Sequence, residues 1–303
     1  MRKMIWFYIG GALICAALAL AATSNKIKVS EYSISSPKLT RSFTVLQISD
    51  VHESKYGKGQ KKLVNVVKDA SPDVIFITGD MVEDDKSDNP KDSSFDKDNP
   101  SRVLIEALVK IAPCYMVLGN HEGSIPNIDS ICEELEKMGV TVLHRASREV
   151  ILDDVLVCGV CDPYFFKDEI HHNNIAERFA EDAERVSPAL TKWREMLSEE
   201  YADVAEEERF TILLSHRPEE YELYDSLGFD VAFSGHAHGG QWRLPPFING
   251  VYAPHQGIFP DHAGGVYEYE DFTHIVSRGL SKKRMVRIFN RPEVCVVKFE
   301  MEE

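Results

Sequence analysis

The sequence is short of positive charge. Its 303 residues carry 34 lysines and arginines against 49 aspartates and glutamates, a net charge of −15. A body that acidic repels polyphosphate backbones, so nucleic acid is not an expected partner. The acidity gathers in Glu83–Asp98 and Glu195–Glu208, both read as solvated surface. Cysteine is sparse and scattered, at positions 15, 114, 132, 158, 161 and 295. Cys158 and Cys161 have redox-pair spacing but fall in the apolar stretch Val155–Val160, not at the mouth of a helix. They read as core packing, with a local disulfide or reactive thiol as the alternative. No segment of about 20–50 residues repeats, which excludes a solenoid. Hydrophobic residues at 44% and charged residues at 27% exclude wholesale disorder.

One long uncharged run is present. Arg2 and Lys3 precede Met4–Ala22, which at about 1.5 Å per residue nearly crosses a bilayer core of about 30 Å. Trp6 and Tyr8 suit an interfacial anchor, while Ala19-Leu20-Ala21 offers a signal peptidase its small residues. The retained anchor is the preferred reading: 1–23 as membrane segment, 24–42 as polar linker, 43–303 as one domain. The leading positive residues put the enzyme outside the cytoplasm, although Lys26 and Lys28 pull the other way. The expected location is the cell membrane, single-pass, or secretion if residues 1–22 are cleaved. There is no twin-arginine pair, and Ile14-Cys15 lacks the small residue that precedes a lipid-modified cysteine.

Beyond the linker, Phe43–Ser49, Val74–Thr78, Tyr115–Leu118 and Val140–Leu143 read as strands. Between them Gln60–Ala70, Arg102–Ile111 and Ile128–Met138 carry helical periodicity. That alternation predicts an α/β sheet. After Val150 come strand-like Glu149–Leu152 and Val155–Val160, then a helical region over 174–207. Short strands return at Phe210–Ser215, Val231–Ser234, Gln241–Leu244, His274–Ser277 and Val294–Glu300.

Again and again an apolar run stops at a group able to bind a metal. Asp50 and His52 follow the first strand and Asp80 the second, within Thr-Gly-Asp. Asn120 and His121 follow the third, as Gly-Asn-His-Glu; His216 follows Phe210–Ser215; His236 and His238 follow Val231–Ser234, within Gly-His-Ala-His-Gly-Gly. Strand ends in an α/β sheet open onto the crevice where ligands bind. Singly, such an aspartate reads as a turn former and such a histidine as hydrogen-bonded structure. Five such sites together do not.

The ordered blocks Asp50-x-His52, Gly79-Asp80, Gly119-Asn120-His121-Glu122, His216 and Gly235-His236-x-His238 resemble the five motifs of the calcineurin-like metallophosphoesterases, over roughly residues 43–300. Gln241, Ser277-Arg278-Gly279-Leu280 and Phe289-Asn290-Arg291-Pro292 look like the bacterial membrane-associated branch, with its YkuE- and YaeI-like phosphodiesterases and certain UDP-diacylglucosamine pyrophosphatases. The resemblance implies a four-layer α/β/β/α sandwich of two mixed sheets. It also implies a partition of ligands: Asp50, His52 and His238 for one metal, Asn120, His216 and His236 for a second, Asp80 bridging. Such oxygen and imidazole donors suit Mn, Fe or Zn, and no thiolate joins them. Two divalent ions about 3.5–4 Å apart can share a hydroxide and polarise a phosphoryl oxygen. His121 is implied to stabilise the transition state or protonate the leaving oxygen. Glu83 stands where relatives more often have an aspartate that orients this histidine. Asp84 and Gly123 occupy positions where the family's protein phosphatases carry arginines, which turns the expectation away from phosphoproteins.

The expected activity is thus a phosphodiesterase or pyrophosphatase acting on a lipid-linked or sugar-nucleotide substrate. A phosphomonoesterase is the alternative and a non-catalytic scaffold the third reading. Trp242, Pro245, Pro246, Phe247, Tyr252 and Phe259 line an acyl or glycan groove or are ordinary loop packing; His255 and His262 are left unassigned. No protein partner is implied.

Overall fold

The computed structural model describes residues 21–83, 95–166, 188–283 and 286–302. In chain order its strands begin with β1 (Lys28–Ser36), β2 (Phe43–Ile48), β3 (Val74–Thr78), β4 (Cys114–Val117), β5 (Val140–Val142), β6 (Ala146–Ile151) and β7 (Val155–Val160). They continue with β8 (Phe210–Leu214), β9 (Val231–Ser234), β10 (Tyr252–Ala253), β11 (Gly257–Ile258), β12 (Gly265–Glu268), β13 (Thr273–Val276) and β14 (Glu293–Met301). The helices are α1 (Lys61–Ala70), α2 (Pro100–Leu108), α3 (Ile128–Lys137), α4 (Pro188–Glu200) and α5 (Tyr221–Ser226).

Two six-stranded sheets form, ordered β1-β14-β2-β3-β4-β5 and β12-β13-β9-β8-β7-β6. Both are mixed. In the first, β2 to β5 run parallel and β14 lies antiparallel to β2; in the second, β13, β9, β8 and β7 run parallel between antiparallel edges.

The period-two alternation of side chains sorts each strand between two cores. Phe43 and Val45 of β2, Phe76 of β3 and Val117 of β4 meet Val157, Ile212 and Phe233 of the other sheet. Their alternates, Leu46, Ile75 and Met116, turn outward onto Leu63 and Val67 of α1, Leu104 and Leu108 of α2, and Leu135 of α3. On the far side Leu156, Leu213 and Ala232 pack under Trp193 and Leu197 of α4 and Tyr224 of α5. The layers are therefore helix, sheet, sheet, helix, as the resemblance implied. One polar clamp crosses between the sheets: Gln47 donates to Thr78 Oγ1 at 3.0 Å and to the Ser234 carbonyl at 2.9 Å.

Several expectations change. Residues 24–42, read as linker, contain β1, whose edge pairs only with β14. Its inward positions are Lys28, Ser30, Tyr32, Ile34 and Ser36, so the apolar alternation shrinks to Tyr32 and Ile34, too short to mark a strand in the sequence. Gln241–Leu244 is not a strand but makes isolated bridges, Trp242 to Ile288 and Leu244 to Ile248. The acidic residues 84–94 and the helical expectation over 174–187 lie outside the described residues. The expected membrane anchor also lies outside them, except Ala21 and Ala22; among the described residues no helix is long and apolar enough to cross a membrane. Cys158 and Cys161 are free and buried, facing different cores. Burial pushes both thiols up to about 12, which fits packing and opposes the redox alternative.

Candidate metal centre

The ladder between β2 and β3 runs on past both strands. Asp50 N donates to the Gly79 carbonyl and His52 N to the Asp80 carbonyl, each at 3.0 Å. These loops leave extended geometry abruptly. Asp50, His52, Asp80, His236 and His238 all have left-handed backbones, with φ between 45° and 64°. Side chains that would alternate between the two cores are swung sideways into the crevice instead. Each such residue costs on the order of 1–3 kcal/mol, which persists only where surrounding contacts over-determine it. Glycines permit the crowding: a Cβ on Gly119 would lie 2.3 Å from Asp80 Oδ1, and one on Gly279 2.6 Å from Asp50 Cβ.

Six of the seven sequence-predicted ligands converge. One donor atom each from Asp50, His52, Asp80 and His238 lies within 4.8 Å of the others, and the same holds for Asp80, His216 and His236. Asp80 belongs to both groups. Its Oδ2 is 3.2 Å from His216 Nε2 and 3.5 Å from His52 Nε2. His238 Nε2 stands 3.6 Å from Asp50 Oδ1, and His236 Nδ1 3.1 Å from His216 Nε2. Asn120 sits one residue before His121, whose backbone N–H donates to Asp80 Oδ1 at 2.9 Å.

Burial makes this arrangement tense. Asp50 and Asp80 are both withdrawn from water. Burial raises the Asp50 carboxyl. It acts the same way on Asp80, but the neighbouring His216, His121 and His52 overcome it and hold Asp80 well below the usual range. His216 is the converse: burial lowers it, yet Asp80 and Asp50 push it up to about 10. Burial and neighbouring cationic groups hold His236 and His238 well below the usual imidazole range, which favours their neutral forms.

The donor set fits divalent cations. His52 Nε2 and Asn120 Oδ1 are buried without a hydrogen-bond partner, a costly state unless a ligand supplies one. Carboxylate, amide and imidazole donors are those that first-row divalent metals take.

His121 flanks this cluster, with Nε2 4.0 Å from Asp80 Oδ2. Glu83 lies between two imidazoles: Oε2 is 3.6 Å from His121 Nδ1 and Oε1 2.8 Å from His52 Nδ1. The contact expected from the sequence is the longer of the two, because the extra methylene lets one carboxylate span both rings.

Three supporting groups had no assigned role. Glu122, quoted only as part of Gly-Asn-His-Glu, accepts from the backbone N–H groups of Asp80, Met81, Val82 and Gly119 at 2.7–2.9 Å, fixing both ligand loops. Asn290 donates to the His238 and Gln241 carbonyls at 2.7 and 3.1 Å. Arg217 makes a two-pronged pair with Asp162, at 2.5 and 2.9 Å, and approaches Glu219 and His255. The unassigned His255 thereby comes within 2.9 Å of His236 Nε2. Adjacency to a candidate site residue, His121 for Glu122 and His216 for Arg217, was the available signal; for His255 and Asp162 only the folded chain brings it out.

Comparison with known proteins gives this geometry a context. A profile described as calcineurin-like phosphoesterase matches residues 43–240. The UDP-2,3-diacylglucosamine pyrophosphatase LpxG of Chlamydia trachomatis is 24% identical, over 84% of this chain and 82% of its own. The metallophosphoesterase YkuE of Bacillus subtilis is 24% identical over 90% and 85%, and the phosphodiesterase YaeI of Escherichia coli 23% over 84% and 81%.

Proposed function

The chain belongs to the calcineurin-like phosphoesterases, in the branch of YkuE and YaeI, and is a metal-dependent phosphoester hydrolase; from that premise we propose a two-metal phosphodiesterase or pyrophosphatase acting on a lipid-linked or sugar-nucleotide envelope substrate. The observation that carries the two-metal reading is Asp80, a single buried carboxylate common to two donor groups.

Asp50, His52, Asp80 and His238 would hold one divalent ion; Asp80, Asn120, His216 and His236 would hold the other. Such ions supply the Lewis acidity that polarises a phosphoryl oxygen and offsets developing charge. The chain does the rest. Glu122 keeps the Asp80 and Gly119 loops in register, so the donors meet with little reorganisation. His121, at the edge of the cluster, delivers a proton to the leaving oxygen, and Glu83 orients its ring. Arg217, the guanidinium against His236, is tied to Asp162 and Glu219 and is not presented as a phosphate clamp. That favours a diester or pyrophosphate over a phosphoprotein. The uncharged Met4–Ala22 run supports a membrane location, and Arg2 and Lys3 before it, against Lys26 and Lys28 after it, favour the domain outside the cytoplasm; β1 extends that domain back to Lys28.

Bis-p-nitrophenyl phosphate assayed beside p-nitrophenyl phosphate, with Mn added to the metal-stripped protein, separates diesterase from monoesterase. The diester is expected to be preferred, and Asp80→Asn to lose both metal content and turnover. An Asp80→Asn protein as active as wild type would overturn the assignment.

A further inference from the structure

Exposed large apolar side chains are not scattered over this protein. Trp242, Leu244, Phe247, Ile258, Phe259, Val286 and Phe289 are seven of the ten among the described residues, and all lie within 242–289. Phe247 is 83% exposed, Ile258 71% and Phe259 63%, so they stand out to solvent and do not line a groove.

The backbone gathers them onto one face. Trp242 Nε1 donates to the Val286 carbonyl at 2.9 Å and Arg243 N to the Ile288 carbonyl at 2.9 Å. Val251 N donates to the Trp242 carbonyl and Phe259 N to the Val251 carbonyl, while Tyr252 pairs with Ile258. Phe289 N donates at 2.7 Å to the carbonyl of Ala22, the last residue of the long uncharged run. That run therefore ends on the same face. Charge bears on the same stretch: 235–260 and 272–292 hold no acid, in a chain of net charge −15. Lys282, Lys283 and Arg291 are at least partly exposed there, Lys283 at 3.4 Å from Glu53, whereas Arg278 and Arg287 turn inward, onto Glu293 and onto the Ser281 and Arg278 carbonyls.

We propose that this face seats on a lipid bilayer, with the aromatic and aliphatic tips entering the interface and Lys282 and Lys283 beside them meeting anionic headgroups. Aromatic rings favour the headgroup level, and exposed apolar area combined with local positive charge gives interfacial binding. A patch this continuous is not typical of a solvated surface. The face is also wired to the metal centre: it grows from the loop just after His238, and Asn290 beside Phe289 holds the His238 carbonyl. A seated protein presents its cluster at headgroup depth, where the phosphoester of a lipid-linked substrate lies. The inference builds on that substrate reading and supplies its route.

The test uses the full chain with Trp6→Phe, reconstituted in phosphatidylcholine–phosphatidylglycerol nanodiscs. Trp193 is fully buried, so accessible emission belongs to Trp242. Brominated phosphatidylcholine should quench Trp242 severalfold more than aqueous iodide does, and F247S/I258S/F259S should reverse that order. Those three side chains contact no proposed ligand, so turnover of soluble bis-p-nitrophenyl phosphate should be unchanged in the triple variant. Iodide quenching of Trp242 in the discs without bromolipid quenching would overturn the proposal. So would protection from iodide that appears without lipid, whether it rises with protein concentration (a second copy) or not (the chain's own apolar segment). Bromolipid quenching in a protein inactive on the soluble diester would still support seating and would count against the hydrolase reading alone.

Discussion

Three residues separate Leu46 from Asp50, yet they belong to regions under opposite rules. Leu46 and its neighbours in β2 sit in an ordinary extended strand, buried on both faces and paired on both edges. Asp50 is equally withdrawn from water but charged, left-handed and set against other ionisable groups. The sheet interiors are where this chain gains stability, and the strand ends are where it forfeits some. Function occupies the second region because a buried, under-satisfied donor set is what makes a cation welcome.

His121→Ala should have the largest effect. Turnover should fall by about 10²- to 10⁴-fold, as for a lost general acid, with metal content unchanged by elemental analysis and the unfolding midpoint within error of wild type. A matching loss of metal would move His121 among the ligands. Phe233→Ala, in the inter-sheet core, is expected to do the reverse: a loss of about 3–5 kcal/mol in denaturant unfolding, with activity per folded molecule preserved below the transition. Should activity per folded molecule collapse too, the two regions are mechanically one.

Glu122→Gln stands on the border. It keeps the shape but turns an amide group toward N–H donors that now meet a carboxylate, so metal affinity should drop about 10- to 100-fold in a chelator competition. An unchanged affinity would mean the loops hold themselves. The smallest effect is expected from Asp50→Asn in metal-stripped protein. Burial raises the Asp50 carboxyl, so its ionised form at neutral pH opposes folding, and the neutral amide should leave stability equal or about 1 kcal/mol higher. A loss of several kcal/mol would show that Asp50 supports the fold even without a cation.

What could be read from the sequence follows the same division. The interior strands announced themselves because β3 and β8 are apolar at every position but a threonine. The candidate ligands were legible because each follows such a run. Hidden were elements whose partners lie far along the chain: β1, whose inward side chains include serines and a lysine, and β12, a four-residue edge strand held by β13. Glu83 was placed beside His121, yet the structure sets it nearer His52, a matter of one methylene that no pattern reports. Phe247 and Phe259 read as lining or packing; only the exposed loop surface reveals that they do neither.

β14 lies between β1 and β2, so the segment nearest the C-terminus occupies an inner position beside the first-formed strands. The turn leading to it presses Gly279 onto Asp50 and pins Leu280 N to the Ser49 carbonyl. During synthesis a ribosome has released β1 and β2 long before this wedge exists, and their facing edges stay unpaired until about residue 301 has emerged. A nascent polypeptide stalled short of β14 would therefore carry all seven candidate ligands but lack the strand that joins β1 to β2, and cation capture is expected only late in synthesis.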